Sequence, residues 1–211
     1  MVRSTGILNL FITSFIVGFS GASAPGPMMT MVITQCSLKG WKDSIKIVFG
    51  HAILEGILIL LLLLGLQPFL QNPIFVKSFS FLGSLFLLYM GVSLFVSLIK
   101  SNLDIKNSDP VKISLPLAGA LVSLSNPYWL IWWITVGVTF LGQARSFFIL
   151  GILSFYIGHI LSDFVWYIFI GFIGQGLSLP FWKRLYKIIL YLASFSLVFF
   201  GVYFLKYIIL G

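Results

Sequence analysis

The chain has 211 residues, of which 59% are hydrophobic and 9% are charged, and its mean hydropathy of +1.09 excludes an ordinary soluble globular domain. The formal net charge of +8 would indicate nucleic-acid binding in a soluble protein, but in so apolar a chain it bears on membrane orientation instead. Uninterrupted apolar runs such as ILILLLLLGL fit helices rather than the alternating strands of a β-barrel. The composition therefore predicts an all-α polytopic membrane protein.

Six apolar stretches are each long enough to cross a hydrocarbon core of about 30 Å, which takes about 20 helical residues. In chain order, the predicted spans cover residues 6–34, 44–66, 74–99, 115–141, 146–172 and 185–210. The pattern predicts a bundle of six transmembrane helices.

The first predicted span contains a proline motif, APGP, towards its end. Pro25 disrupts the incoming helix, Gly26 permits a turn, and Pro27 is favoured as the first residue of the outgoing helix. A helix that starts inside the bilayer exposes free N–H groups and about half a positive charge, which suit a carboxylate or another anion. We therefore expect these three residues to bind substrate, and a plain proline kink is the structural alternative.

The second span carries a histidine and an acid on one helix face, because Glu55 follows His51 by four residues. Glu55 lies near the middle of the span, where an unpaired charge costs about 2.5–3.5 kcal/mol on insertion scales. Such residues are usually retained for function. Glu55 is therefore a candidate for binding protons or a cationic group.

A polar segment, KSNLDIKNSDPVK, follows the third span and is the strongest linker signal in the chain. It divides the chain into a first three-helix repeat at 1–99, a cytoplasmic linker at 100–114 and a second three-helix repeat at 115–211.

The fourth and fifth spans repeat the features of the first and second. In SNPYW, Asn126 is a favoured N-cap and Pro127 a favoured first helical residue, so a second helix start is predicted inside the membrane. In GHILSD, His159 again follows a glycine, and Asp163 follows it by four residues. Because each half contains an odd number of spans, the second must insert upside down relative to the first. Equivalent residues then surround a pseudo-two-fold axis, where two copies can build one central site.

The distribution of basic residues predicts the orientation of the chain. With six spans, the smaller group lies on the side of the termini and consists of Arg3, Lys77, Arg145 and Lys206. The larger group lies on the opposite side and consists of Lys39, Lys42, Lys46, Lys100, Lys106, Lys112, Lys183, Arg184 and Lys187. The positive-inside rule places the larger group in the cytoplasm, so both termini are predicted outside it.

The paired histidines and acids leave several chemical interpretations open. Buried acids beside imidazoles suit proton coupling, and the candidates for this role are Glu55, Asp163, His51 and His159. The acids also suit an ammonium group, which together with two positive helix ends indicates an amino acid as ligand. The same spacing can ligate a divalent metal cation. The structural alternative is that the pairs only hold helices together.

Aromatic residues crowd the same motifs and are candidates to wall a pocket or to contact a cation through their ring faces. They are Trp129, Trp132, Trp133, Trp166 and Tyr167, and most are expected to be packing or interfacial residues. The sequence has no nucleotide-binding glycine-rich loop and no nucleophile–base arrangement outside the predicted spans. We therefore predict no enzymatic activity and no cofactor, and active transport would depend on an ion gradient.

The chain resembles the LysE/RhtB superfamily of small amino-acid exporters in its length and its six hydrophobic segments. The resemblance includes the Pro-Gly-Pro motif at 25–27, the Asn-Pro motif at 126–127 and the GHAILEG region at 50–56. In the family, the acid of the second segment often directly follows a glycine. Here His51 follows the glycine and the acid comes later, as Glu55.

This resemblance implies an inner-membrane exporter of amino acids or related small solutes that is driven by proton antiport. The implied partners are a small-molecule substrate, protons and the lipid bilayer, with a homo-oligomer possible and no nucleic acid. Superfamily relatives are also linked to cadmium and other cations. Transport of a divalent metal cation by the two His–acid pairs therefore remains the alternative.

Overall fold

The computed structural model describes residues 2–24, 26–70, 72–99 and 110–210, and these residues form helices with no strand among them. The helices are α1 (Val2–Ala22), α2 (Pro27–Lys39), α3 (Lys42–Leu61), α4 (Gln67–Leu70), α5 (Pro73–Ile99), α6 (Leu115–Leu124), α7 (Pro127–Trp132), α8 (Val138–Arg145), α9 (Phe148–Gln175) and α10 (Pro180–Leu210). Single π-helical turns at Leu62–Leu66 and Trp133–Gly137 extend α3 and join α7 to α8. The predicted all-α class is confirmed.

Within the described ranges, four helical segments are long and apolar enough to cross a membrane. They are Lys42–Leu66, Pro73–Ile99, Phe148–Gln175 and Arg184–Lys206. The bent pair Gly6–Ala22 and Pro27–Lys39 makes a fifth span if it is counted as one. The fourth predicted span, 115–141, is divided among shorter helices, of which α6 has only 10 residues. The chain is thus a multi-pass helical membrane protein with four or five spans by length and composition.

The break predicted in the first span is present, and the axes of α1 and α2 differ by 82°. Gly26 is the N-cap of α2 in an extended conformation, and Pro27 is the first helical residue. Pro25, the other proline of the motif, lies outside the described residues. At the far end, α2 stops at Gly40, whose φ of 95° favours glycine and whose N–H donates to the Cys36 carbonyl.

The break predicted in the fourth span is also present, because α6 ends at Leu124 and α7 begins at Pro127. Asn126 caps α7, since its Oδ1 accepts a hydrogen bond of 3.1 Å from the Tyr128 N–H. The predicted N-cap is therefore correct at this position.

Replacing Asn126 with alanine removes this cap, and we expect it to cost about 1 kcal/mol of stability, with a corresponding fall in the melting temperature of the detergent-solubilised protein. Ser125→Ala is the matched control, because the Ser125 hydroxyl donates to the Val122 carbonyl within its own helix and is exposed. Equal melting temperatures for the two variants would contradict the capping role.

Three helix pairs form the framework: α1 packs along α9, α3 along α6, and α5 along α10. Glycines allow the first two pairs to approach closely. A Cβ on Gly50 of α3 would overlap the Pro116 carbonyl oxygen of α6, and a Cβ on Gly158 of α9 would lie 2.5 Å from the Phe11 carbonyl oxygen of α1. In both places the glycine immediately precedes a histidine, so the close packing fixes where that histidine lies.

Two apolar clusters fill the interior, one around Ile47, Val48 and Ile170 and the other around Leu58 and Phe155. Along both α3 and α9, the histidine and the acid lie between the positions that belong to these two clusters. The polar residues of the two long helices therefore meet in a layer that apolar packing separates from both ends of the molecule.

Candidate functional site

Four titratable side chains of α3 and α9 converge in this layer, and we call them the central cluster: His51, Glu55, His159 and Asp163. Their exposed fractions are 5%, 1%, 2% and 2%, so all four are buried. Each helix contributes a histidine and an acid because the spacing of four residues puts both on one face, and α3 packs against α9 along those faces. Two motifs far apart in the sequence thus form one site.

The contacts within the central cluster run between α3 and α9 as well as within each helix. Glu55 lies between both histidines, with Oε1 3.2 Å from Nε2 of His51 and Oε2 3.1 Å from Nε2 of His159. Oδ2 of Asp163 is 3.7 Å from each of the same two nitrogens. Each acid therefore approaches the histidine of the other helix as well as that of its own, because α3 and α9 pack against each other.

Glu55 is held by two tryptophans of the second half of the chain. The indole Nε1–H groups of Trp129 and Trp133 each donate to Oε1 of Glu55 over 2.8 Å. Charge-assisted hydrogen bonds of this length are stronger than neutral ones and fix the orientation of the carboxylate. The sequence suggested these tryptophans as pocket walls, cation contacts through their ring faces or packing residues, whereas in the structure both donate hydrogen bonds to an acid.

His51 is held by Ser123, a residue that sequence reasoning did not single out. Oγ of Ser123 is 2.8 Å from the Gly119 carbonyl, to which it donates, and 2.7 Å from Nδ1 of His51. Because a hydroxyl has one proton, Ser123 accepts from Nδ1–H of His51 when it donates to the Gly119 carbonyl, and Nε2 of His51 faces the two acids. No spacing rule marks one serine of the LVSLSNP stretch, so only the tertiary packing of α6 on α3 reveals it.

His159 is held by aromatic packing instead of a hydrogen bond at Nδ1. Its ring stacks on Trp132 with a centroid distance of 4.4 Å and an interplanar angle of 17°. Nδ1 has no hydrogen-bond partner within the described part of the chain. A Cβ placed on Gly18 would lie 2.9 Å from this nitrogen. The two histidines are therefore inequivalent: a serine faces Nδ1 of His51 and a glycine faces Nδ1 of His159.

The two helix breaks face each other next to the central cluster. A Cβ on Gly26 would lie 3.1 Å from Nδ2 of Asn126, so the residues that precede α2 and α7 are neighbours. Asn126 and Met28 line a cavity that adjoins the cluster, whereas Pro27 lines a separate groove that α2 shares with α5. Of Pro127 only the backbone is described, at the start of α7.

The cavity beside the central cluster is small, about 30 Å³. Trp129, Trp132 and Tyr167 line it, while Trp166 is not among the lining residues that the structure describes. A volume of this size holds one or two water molecules or an ion but no amino acid. A larger ligand therefore requires the surrounding helices to separate.

A second buried polar cluster lies at the opposite end of α2 and was also missed. Nε2 of Gln35 donates to Oδ2 of Asp43 over 2.8 Å, and Oε1 of Gln35 accepts from the Val111 N–H over 3.0 Å. Nζ of Lys46 lies 2.8 Å from Oδ1 of Asp43. These contacts attach the chain segment before α6 to α2 and α3, and they use the one acid of α3 that lies outside the central cluster.

Together, the long apolar helices, the two broken helices and the buried acid–imidazole cluster define a multi-pass membrane protein with a polar centre. The family model described as "LysE type translocator" matches residues 19–207, and the chain therefore belongs to the LysE family of membrane translocators. A protein of Bacillus subtilis (strain 168) named "Putative amino acid efflux protein YcgF" is 24% identical over 201 residues, which cover 93% of this chain and 95% of that protein. No solved structure matches the chain significantly.

Proposed function

We propose that this protein is a secondary active transporter that exports amino acids or related small solutes across the cytoplasmic membrane by proton antiport. The observation that carries the proposal is the convergence of two acid–imidazole pairs and two broken helix starts at one buried cavity. Membership of a translocator family and the name of the Bacillus relative support it. Transport by this route needs no cofactor and no enzymatic step.

The substrate would be bound at both of its charged ends. Its carboxylate would contact the starts of α2 and α7, formed by the motifs at 25–27 and 126–127, where helix N–H groups provide positive charge. Its ammonium group would contact Glu55 and Asp163, which are buried and acidic. Because the cavity is far smaller than an amino acid, binding would follow a separation of the helices around it.

The helix pairing supports an architecture of six membrane segments in two inverted repeats, at 1–99 and 115–211 with a linker at 100–114. A two-fold rotation that exchanges the halves would exchange α1 with α6, α3 with α9, and α5 with α10. This rotation would place the α1–α9 pair on the α6–α3 pair and the α5–α10 pair on itself. The rotation therefore relates the three helix pairs that form the framework to one another. The sixth segment would be the broken helix formed by α6, α7 and α8.

Protons would be exchanged at the central cluster, with Glu55 and Asp163 as carriers and the histidines as relays. His159 suits a relay best, because its Nδ1 has no hydrogen-bond partner in the described structure, whereas Ser123 holds Nδ1 of His51. Substrate would enter from the cytoplasm while an acid is deprotonated, and a proton arriving from outside would favour release. The orientation with both termini outside, from the positive-inside rule, belongs to this proposal.

Replacing Trp129 or Trp133 with phenylalanine removes one N–H donor to Glu55 while keeping an aromatic ring. A hydrogen bond to a charged group contributes about 1.5–3 kcal/mol, so we expect each variant to lower the transport rate about tenfold or more. Trp166→Phe is the matched control, because the Trp166 N–H has no hydrogen-bond partner among the described residues. If all three variants change the transport rate in proteoliposomes equally, the hydrogen bonds from Trp129 and Trp133 to Glu55 do not contribute to transport.

The proposed function is tested by efflux of radiolabelled amino acids from proteoliposomes, with single amino acids scanned in turn. We expect at least one amino acid to leave faster than from protein-free vesicles, and Asp163→Asn to abolish the difference. Thr139→Val serves as a control, because the Thr139 hydroxyl donates to a carbonyl of its own helix and is exposed. If no amino acid leaves faster through the wild-type protein, the amino-acid assignment is wrong.

A further inference from the structure

The donor atoms of the central cluster are spaced like the ligands of a metal ion. One donor atom each from His51, Glu55 and Asp163 all lie within 4.8 Å of one another. Nε2 of His159 faces the same two carboxylates, at 3.1 Å from Glu55 and 3.7 Å from Asp163. Three candidate ligands, with His159 as a fourth, therefore lie together in one buried site.

The distances between the histidines and the carboxylates are compatible with metal ligation. N–H···O hydrogen bonds are about 2.7–3.2 Å long, so the two contacts of Glu55 fall within that range and the two contacts of Asp163, at 3.7 Å, are too long. The four histidine–carboxylate distances in the cluster range from 3.1 to 3.7 Å. Ligand bonds of about 2.0–2.2 Å to a four-coordinate Zn²⁺ place neighbouring donor atoms about 3.3–3.6 Å apart. The observed spacing is close to that value.

Two buried carboxylate oxygens in the cluster have no hydrogen-bond donor among the described residues. They are Oε2 of Glu55 and Oδ2 of Asp163, both of which are shielded from solvent and lie 3.1–3.7 Å from histidine nitrogens. Buried carboxylates are normally paired with a cation or bound to a metal. The charge of the two carboxylates matches that of one divalent cation.

The surroundings already orient the ligands, as the outer shell of a metal site does. Ser123 contacts Nδ1 of His51 over 2.7 Å and leaves Nε2 directed at the acids. The N–H groups of Trp129 and Trp133 donate to Oε1 of Glu55, while Oε2 has no hydrogen-bond donor in the described part of the chain and lies 3.1 Å from Nε2 of His159. The cavity of about 30 Å³ is large enough for an ion.

We infer that the central cluster binds one divalent transition-metal ion of the Zn²⁺ class through His51, Glu55 and Asp163, with His159 as the fourth ligand. The mixture of imidazole and carboxylate ligands favours such ions over Mg²⁺ and Ca²⁺, which prefer oxygen alone. This site goes beyond the proposed amino-acid export. Because the ion and a substrate ammonium would use the same carboxylates, the two exclude each other.

The test is a titration of the full-length, detergent-solubilised protein with Co²⁺ after treatment with a chelator and removal of any affinity tag. Both histidines of the chain belong to the cluster, so no other histidine can bind the probe. We expect one Co²⁺ per protein with the strong visible absorption of tetrahedral coordination, displaced by Zn²⁺ but not by Mg²⁺. Binding should weaken at least tenfold in His51→Gln and in Asp163→Asn and should persist in Asp43→Asn, an acid outside the cluster.

Absence of saturable Co²⁺ and Zn²⁺ binding at micromolar concentration would overturn the inference, as would binding that both cluster variants retain while eluting as folded, monodisperse protein. If one variant fails to fold, the other and the near-isosteric Glu55→Gln provide the same comparison. Amino-acid efflux is measured in parallel with and without Zn²⁺, so that the metal site and the proposed amino-acid export are tested separately. Lost metal binding with intact efflux overturns only the metal site, and metal binding without amino-acid efflux overturns only the proposed function.

Discussion

Replacing Glu55 with glutamine is expected to lower transport by about two to three orders of magnitude, because breaking a buried charged network costs about 3–5 kcal/mol and each 1.4 kcal/mol is tenfold. Glu55 is 1% exposed and contacts both histidines and two tryptophan N–H groups. Glutamine keeps the shape but loses the charge that a substrate ammonium or a proton requires. The measurement is the initial rate of substrate efflux from proteoliposomes at equal protein content.

The control for this variant is Asp43→Asn, which also neutralises an acid of α3 but outside the central cluster, where Asp43 contacts Gln35 and Lys46. We expect this control to retain most of its transport activity. If Glu55→Gln transports at a rate similar to that of Asp43→Asn, the central cluster is not the site of transport.

Replacing Gly50 with alanine is expected to destabilise the protein strongly, although alanine is the better helix former by about 1 kcal/mol. The new Cβ would overlap the Pro116 carbonyl oxygen, which belongs to the backbone of α6 and cannot rotate away. Overpacking of this kind costs about 1–3 kcal/mol or more, so the steric effect exceeds the gain in helix propensity. The measurement is the melting temperature in detergent, which we expect to fall by several degrees.

Gly142→Ala is the matched control, since nothing lies within 4 Å of a Cβ at that helical position. It should leave the melting temperature unchanged or raise it slightly. If the Gly50→Ala protein is as stable as the Gly142→Ala protein, α3 and α6 do not pack as closely as described. The position given for His51, which depends on that packing, would then be wrong.

The sequence predicts the helix breaks well because their signals are local. Proline cannot continue a helix without losing a hydrogen bond, and an asparagine before it caps the next helix, so APGP and SNPYW identify both starts. The shared face of each histidine and acid is equally local, since it follows from a spacing of four residues. These features required no knowledge of how the helices pack.

The contacts between helices could not be predicted in the same way. The contact between Glu55 and His159 depends on the register of α3 against α9. The hydrogen bond between His51 and Ser123 depends on the close approach of α3 and α6. Hydropathy alone predicts six spans, whereas four or five helical segments of the described residues are long and apolar enough to cross a membrane. The mean hydropathy of residues 115–141 does not show that a proline break divides this stretch into helices that are too short to cross the membrane by themselves.

The most direct test of proton-coupled amino-acid export is the movement of protons in proteoliposomes that contain a pH-sensitive dye and receive an amino-acid gradient. We expect proton movement opposite to the amino acid through the wild-type protein and none through the Glu55→Gln, Asp163→Asn double variant. Amino-acid transport without proton movement, or a double variant that retains its full pH dependence, would contradict it.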